Sequence, residues 1–340
     1  MLSNDDNVQE ESYNVDYNTI KYDALPGIAC WGDSMMEGVG SEEGYIFNGS
    51  EYVDIGYCTT PSVIEQFTGI RTYNFGVAGE TSYDIAVRAG GIPVFIDRDI
   101  TITRKKAAKA YLYDEYGNIY NAEDYSGYGT EQNDYYNTCY INGFLCNIKN
   151  VNNSGMVEIS LCDSDINGNK KKLSIPANTA VISKAAYEHR NDILVIEMGS
   201  NDGWDNDYSK LILQYKQIIS SSNCAGYIIV GDTDNPGESL ADYNQSATYD
   251  DGSFIGTGDT YWEAALREAF GEHFLNTRVY LLENGLSDCG FTPSEEDLNN
   301  IEMGFIPESL RSDYTHFNAY GYYSKGKAIY LKGVELGYWN

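Results

Sequence analysis

The chain has 340 residues and a formal charge of −29, because 51 acidic residues outnumber 22 basic ones. Such an excess of negative charge repels polyphosphates and anionic membrane surfaces, which argues against nucleic acid as a partner. The hydrophobic fraction of 42%, with no apolar run long enough to cross a bilayer, is typical of a globular protein and argues against membrane insertion.

Residues 1–24 form a polar, acidic segment without the basic and then apolar pattern of a secretory signal. We interpret this segment as a tail. We expect an extracellular or cell-surface protein whose signal is absent from this chain, and a cytoplasmic location stays open. The seven cysteines are scattered and include no C-x-x-C pair, so their spacing predicts buried thiols rather than a zinc ribbon or a disulfide scaffold.

Five short apolar runs are typical of strands that are buried on both faces of a parallel sheet. Turn residues follow each run and helical patterns follow most of them, which indicates an α/β sheet with helices on both faces. The five predicted strands are Gly27–Gly32, Arg71–Gly76, Ile193–Met198, Gly226–Gly231 and Arg278–Leu282.

Three segments, Asp207–Ser220, Thr260–Phe270 and Ala319–Leu336, are predicted to be helices, the first two from apolar residues at helical spacing. Between about residues 93 and 187 the pattern changes to short alternating runs separated by Asn-Gly and Asp-x-x-Gly turns, which predicts β-hairpins. We therefore divide the chain into an α/β domain, residues 25–92 and 188–340, and an inserted all-β subdomain, residues 93–187.

The first predicted strand ends in Gly32-Asp33-Ser34, and this sequence permits two interpretations. Gly-Asp-Ser after a strand is typical of a helix start, where Asp33 or Ser34 caps free N–H groups. The same position suits a catalytic hydroxyl, because the N–H groups and the helix dipole would stabilise an oxyanion. The segment lacks the G-x-S-x-G nucleophile elbow, which argues against the α/β-hydrolase fold.

A serine nucleophile usually needs a general base, most often histidine, and the chain contains three histidines. The positions of His189 and His273 indicate structural, surface or capping roles. His316 has Asp313 three residues before it, so on a helical turn the two side chains would lie on the same side. An aspartate there would accept the Nδ1 proton and fix the imidazole tautomer. The alternative is an aspartate N-cap with an incidental histidine beside it.

Two further strand-end turns carry groups that can contact a ligand. The turn after the second predicted strand contains Gly79, where the missing side chain allows a backbone N–H to approach a ligand. The turn after the third strand offers the side-chain amide of Asn201. Ligands of open α/β sheets bind beyond the carboxyl ends of the strands. We therefore expect Ser34, Gly79 and Asn201 to lie at one edge of the sheet.

The motifs described above are G-D-S at 32–34, N-x-G-x-x-G-x-T at 74–81, G-x-N-D at 199–202 and D-x-x-H at 313–316. In this order along the chain, they resemble the four sequence blocks of the SGNH hydrolase (GDSL esterase/lipase) superfamily. The resemblance covers about residues 25–92 and 188–340, and it implies a flavodoxin-like three-layer sandwich with a five-stranded parallel sheet. GDSM replaces GDSL, and GSND replaces GGND, which leaves Asn201 in place.

The resemblance implies a serine ester hydrolase in which Ser34 is the nucleophile, His316 the general base and Asp313 the acid that orients the base. The oxyanion hole would consist of the N–H groups of Ser34 and Gly79 and the side-chain amide of Asn201. The resemblance implies no metal and no organic cofactor.

The superfamily includes carbohydrate acetylesterases, and the 31 tyrosines and four tryptophans of this chain suit stacking on sugars. We therefore expect the substrate to be an ester of a short acyl group, above all acetyl, on a glycan. The alternatives are a lipase or thioesterase, an acyltransferase, and a non-catalytic glycan-binding protein. The last would be indicated by a substituted catalytic residue, and none of the matched positions is substituted.

Two other segments have an open interpretation. Asp163–Gly168 imitates the first half of an EF-hand calcium loop, but Ser174 stands at the twelfth position where glutamate is required. A polar hairpin turn is therefore the preferred interpretation. The acidic loop over residues 231–259 is long, so we interpret it as a lid or pocket rim, with surface disorder as the alternative.

Overall fold

The structure of the protein is a computed structural model that describes most of the chain. The predicted N-terminal tail and the segment Asp163–Gly168 lie outside the described residues, so the structure does not test either interpretation. The described residues are 26–47, 49–103, 105–121, 138–151, 155–162, 172–239, 241–242 and 245–340.

Strands and helices are numbered along the chain within these ranges. The strands are β1 (Ile28–Gly32), β2 (Glu43–Phe47), β3 (Tyr52–Tyr57), β4 (Thr72–Gly76), β5 (Val94–Ile96), β6 (Ile100–Ile102), β7 (Ala108–Asp114), β8 (Ile119–Tyr120), β9 (Thr138–Ile141), β10 (Phe144–Asn150), β11 (Met156–Leu161), β12 (Leu173–Ile175), β13 (Ala180–Ser183), β14 (Ile193–Ile196), β15 (Gly226–Val230) and β16 (Phe274–Leu275). The α-helices are α1 (Ser34–Glu37), α2 (Thr60–Thr68), α3 (Ser82–Arg88), α4 (Lys184–Glu188), α5 (Ser209–Ser221), α6 (Tyr261–Phe270), α7 (Thr277–Tyr280), α8 (Leu286–Asp288), α9 (Glu295–Met303) and α10 (Ala319–Glu335).

Five parallel strands form the central sheet in the order β4-β1-β14-β15-β16. All five residues of β1 are buried, as expected for an interior strand that is covered on both faces. Four of the five predicted strands are confirmed by β1, β4, β14 and β15. Because the strands are parallel, the turns that follow β4, β1 and β14 lie side by side at one edge of the sheet.

The fifth predicted strand, Arg278–Leu282, is wrong, because this segment is helical. It begins in α7 and continues into a π-helical turn over residues 281–285, and the edge strand of the sheet is β16. Asn276 caps the start of α7 with its side-chain oxygen. The Arg278 side chain is buried and pairs with Glu263 at 2.7 Å. The short apolar run is typical of a strand, but its local pattern does not show that Arg278 pairs with Glu263 on α6.

Helices cover both faces of the sheet. Along β1, Ala29 and Trp31 pack with α3, α5 and α6 on one face, whereas Ile28 and Cys30 pack with α1, α2 and α10 on the other. The helices α5, α6 and α10 confirm the three predicted helical segments within one or two residues at their ends. None of the helices in the described ranges is both long and apolar enough to cross a membrane.

A six-stranded antiparallel barrel follows α3 in the chain. Its strands close in the order β11-β10-β9-β13-β5-β7 and back to β11, and β8 pairs with the end of β7. Asn142 and Gly143 form the β9–β10 turn with φ angles of 51° and 76°, the conformation that a two-residue hairpin requires. The strands lie between Val94 and Ser183, within the segment predicted to be rich in β-structure. That residues 93–187 form a subdomain separate from the α/β domain stays a prediction.

The barrel interior and one face of the central sheet share a single buried cluster of apolar side chains. Two smaller pairings complete the strands: the hairpin of β2 and β3, and the pair formed by β6 and β12. All seven cysteines are free and six of them are buried, as their spacing predicted.

Candidate active site

Three turns at one edge of the central sheet carry Ser34, Gly79 and Asn201. Ser34 begins α1 after β1, Gly79 lies between β4 and α3, and Asn201 follows β14. Strand β1 pairs in register with both β4 and β14. The structure therefore brings the three residues to neighbouring strand ends, which is the arrangement that the sequence predicts.

Ser34, His316 and Asp313 form a continuous hydrogen-bonded chain. His316 Nε2 lies 3.0 Å from Ser34 Oγ, although 282 residues separate the two in the sequence. The other ring nitrogen, Nδ1, lies 2.9 Å from Asp313 Oδ2. These contacts have the order of a nucleophile, a general base and an acid that orients the base.

Asp313 and His316 meet in a tight turn, so the prediction that a helical turn pairs them is wrong. Asp313 Oδ1 accepts the N–H of Thr315 at 2.8 Å and the N–H of His316 at 2.7 Å. One carboxylate oxygen therefore orders the turn while the other binds the imidazole. Burial opposes ionisation of Asp313, but these hydrogen bonds hold the pKa of its carboxyl below the ordinary value. Asp313 is consequently ionised at neutral pH.

Asp33, and not Ser34, caps the short helix α1. Its Oδ1 accepts the N–H of Met35 at 3.0 Å, and its side chain is fully buried. The hydroxyl of Ser34 instead contacts His316. The helix-cap interpretation of Gly-Asp-Ser therefore holds for Asp33. The Ser34 hydroxyl does not cap the helix and is available for the catalytic interpretation.

The backbone N–H groups of Ser34 and Gly79 donate no hydrogen bond to any residue that the structure describes. Gly79 has a φ of +82°, in the left-handed region that favours glycine. Asn201 Nδ2 lies 3.0 Å from the carbonyl oxygen of Glu80 and 3.4 Å from Asp33 Oδ2. Its amide therefore lies between the residue that follows Gly79 and the residue that precedes Ser34.

Two carboxylates that the sequence analysis did not single out hold the Gly79 turn in place. The buried Glu80 binds Arg88 Nε with both oxygens, at 2.9 and 3.0 Å. Glu37 on α1 accepts the N–H of Ala78, the residue before Gly79, at 2.6 Å. Glu80 and Arg88 are eight residues apart, so the three- and four-residue spacings that indicate helical ion pairs do not reveal this contact.

A buried ion pair lies against α1, the short helix that begins at Ser34. Lys325 Nζ on α10 is 2.5 Å from Glu197 Oε2, which follows β14, and both side chains are almost fully buried. Lys325 Nζ also lies 3.5 Å from the carbonyl oxygen of Met35 in α1. Burial, with the neighbouring Glu197 carboxylate, raises the pKa of Asp33 to about 8. The cap of α1 therefore carries a proton at neutral pH.

The stability that Asp33 contributes is lost as the pH rises, because its pKa is raised in the folded protein. An aspartate in the unfolded chain titrates near about 4, so between about pH 4 and pH 8 the folded state holds a proton that the unfolded state lacks. The contribution of Asp33 to the free energy of unfolding therefore falls across this range.

The Asp33→Asn variant removes this pH dependence, because asparagine keeps the oxygen that accepts the Met35 N–H but does not titrate. We expect its stability relative to wild type to improve between pH 5 and pH 8, measured by urea unfolding of both proteins. A constant difference across this range, or a shift in favour of the wild type, would show that the folded state does not protonate Asp33.

The described part of the loop over residues 231–259 contacts the turn that carries Asn201. Ser200 Oγ donates to Asp232 Oδ1 at 2.7 Å, and the backbone N–H of Trp204 donates to the carbonyl oxygen of Ala241 at 2.9 Å. These contacts place the loop beside the site, where a pocket rim would lie. Its role as a lid stays a prediction.

The other two histidines make contacts away from Ser34. His189 Nδ1 lies 2.7 Å from Asp192 Oδ2, and His273 Nδ1 lies 3.1 Å from the carbonyl oxygen of Tyr227. Within the described ranges, no group of three or more His, Cys, Asp or Glu side chains is arranged to hold a metal ion.

Comparisons of the chain with protein-family models, curated proteins and solved structures found no match. The function must therefore be inferred from the contacts of Ser34, His316 and Asp313 and from the four sequence blocks.

Proposed function

We propose that this protein is a serine ester hydrolase of the SGNH type that removes short acyl groups, above all acetyl, from a carbohydrate. The observation that carries the proposal is the hydrogen-bonded chain from Asp313 through His316 to Ser34. The sheet supports it as well. Numbered along the chain, its five strands lie in the order 2-1-3-4-5, which is the flavodoxin-like order that the family resemblance implies.

The first half of the reaction forms an acyl-enzyme. Ser34 Oγ attacks the carbonyl carbon of the ester while His316 Nε2 takes the hydroxyl proton, and ionised Asp313 stabilises the resulting imidazolium. The negative charge on the carbonyl oxygen is bound by the N–H groups of Ser34 and Gly79 and by the Asn201 amide. As the tetrahedral intermediate collapses, His316 returns the proton to the leaving alcohol.

The second half repeats these steps with water. His316 takes a proton from a water molecule that attacks the acyl-serine carbonyl, and the same donors hold the oxyanion. Collapse releases the carboxylic acid and returns the proton to Ser34. An acyltransferase would share every step except this last acceptor, because a sugar hydroxyl would replace water.

Composition supports a carbohydrate ester over a lipid. The formal charge of −29 disfavours binding at an anionic lipid surface, whereas a neutral glycan is not repelled. The abundant tyrosines offer rings with a polar hydroxyl, which suit sugars with their mixed apolar and polar faces.

A panel of esters tests the function. We expect wild-type protein to hydrolyse 4-nitrophenyl acetate at least about tenfold faster, by kcat/KM, than the octanoate, because a pocket for a short acyl group excludes the longer chain. We also expect acetate release from acetylated xylan. The Ser34→Ala variant serves as the control for background hydrolysis. A preference for octanoate would contradict the carbohydrate assignment, and inactivity on every ester would contradict the hydrolase.

A further inference from the structure

We propose that the outer face of the β2–β3 hairpin is a binding platform for a neutral polysaccharide chain whose acyl groups the candidate site removes. This inference rests on the proposed esterase function and names its substrate class as polymeric. The aromatic face, as we call it, consists of Tyr45, Phe47, Tyr52 and Tyr57.

The register of the hairpin places these four side chains on one surface. Directly opposite residues point to the same side of a hairpin, and the pairs are Glu43 with Tyr57, Tyr45 with Asp54, and Phe47 with Tyr52. The register shifts between Gly44 and Tyr45, and this bulge lets Tyr57 share a side with Asp54 although the two are three residues apart. Each successive pair on this surface thus contributes at least one ring. The Phe47 and Tyr52 rings also contact each other, with centroids 5.3 Å apart.

The aromatic face is turned away from the protein interior. Its four side chains are between 42% and 75% exposed, whereas Ile55 on the opposite surface of the hairpin is buried. A side chain at Gly44 would lie 3.0 Å from Ala319 Cβ at the start of α10, so the hairpin packs its inner surface on that helix. Four exposed aromatic rings on one short hairpin are unusual for a surface without a ligand.

The base of the hairpin lies against the turn that carries Asp313 and His316. A side chain at Gly40, three residues before β2, would lie 2.8 Å from the carbonyl oxygen of Phe317. Tyr322 Oη on α10 also donates to the carbonyl oxygen of Val39 at 2.6 Å. A chain bound along the aromatic face would therefore extend from the catalytic turn outward.

Charge argues against an anionic occupant of the aromatic face. Two carboxylates, Glu43 and Asp54, lie between the rings on the same surface, and the whole protein is strongly acidic. An anionic polymer or an anionic membrane would be repelled, whereas the apolar faces of neutral sugar rings stack on aromatic rings and their hydroxyls donate to carboxylates. On the described part of the barrel, by contrast, the exposed large apolar side chains are Tyr116 and Ile119.

The test compares a polymeric with a small substrate in a triple variant, Tyr45→Thr, Tyr52→Thr and Tyr57→Thr. Threonine keeps the strand preference and removes the rings. On acetylated xylan, we expect kcat/KM to fall at least about tenfold through a higher KM, because each lost ring contact weakens binding several-fold. On 4-nitrophenyl acetate we expect no change. The control variant is Tyr116→Thr with Tyr261→Thr, which removes rings of similar exposure, 64% and 71%, elsewhere.

A binding assay makes the platform testable apart from catalysis. In the Ser34→Ala background, we expect retardation in gels that contain deacetylated xylan, loss of retardation in the triple variant, and no retardation by polygalacturonate. Wild-type rates of the triple variant on acetylated xylan, or equal losses on both substrates, would overturn the proposal. A wild-type dimer that the triple variant converts to a monomer would also overturn it, because the face would then bind a second copy of the chain. If the wild type hydrolyses no ester, the esterase fails and the gel assay alone decides the platform.

Discussion

Replacing Ser34 with alanine is expected to lower kcat/KM for an aryl acetate by a factor on the order of 10⁵ or more. In the proposed mechanism the variant removes the hydroxyl oxygen that forms the acyl-enzyme, and residual catalysis would come from the oxyanion donors. Initial rates on 4-nitrophenyl acetate, corrected for spontaneous hydrolysis, measure this loss.

The same variant separates the two roles that Gly-Asp-Ser permits. If Ser34 were a structural cap, its removal would cost about 1 kcal/mol of stability and leave turnover intact. Because Asp33 supplies the cap of α1, we expect the free energy of unfolding of Ser34→Ala to match that of the wild type. Ser220→Ala is the matched control, since that hydroxyl donates to the carbonyl oxygen of Gln217 in its own helix. A variant that unfolds more easily but turns over normally would contradict the assignment.

Replacing His316 with alanine is expected to have an effect of similar size. In the proposed mechanism the imidazole accepts the Ser34 proton and later protonates the leaving alcohol, so the variant loses both steps. The residues of a triad act as a unit, so the double variant with Ser34→Ala should be no slower than either single variant.

His273→Gln provides the control for the loss of a histidine, because His273 lies against Tyr227 and makes no contact with Ser34. We expect its kcat/KM to remain within about twofold of the wild type, as for a substitution outside the reacting groups. Losses that multiply in the double variant, or full activity of His316→Ala, would show that the two side chains act independently.

The central strands could be predicted because their signal is local. Strands β1 and β14 are short apolar runs that end in glycine or turn residues, and burial on both faces requires that composition. The segment around Arg278 has a similar apolar appearance, but its structure depends on distant partners. The guanidinium donates to Glu263 and to backbone carbonyl oxygens, among them those of Gly256 and Gly304. No local pattern contains that information.

The candidate triad could be located from the sequence, whereas its supports could not. Ser34, Asp313 and His316 belong to short motifs whose order along the chain is informative. The ion pairs Glu80–Arg88 and Lys325–Glu197 consist of residues that are common on protein surfaces, and only their burial reveals a role. The sequence analysis also missed the closure of the barrel, because the pairing of β7 with β11 joins segments that are distant in sequence.

Covalent labelling tests the assignment of Ser34 as the nucleophile most directly. A fluorophosphonate reacts with an activated serine, and mass spectrometry of the digested protein locates the modified residue. We predict one label per chain, on Ser34, with no label on Ser34→Ala and labelling of His316→Ala slowed by orders of magnitude. A label on another residue, or an active protein in which Ser34 stays unmodified, would contradict the assignment.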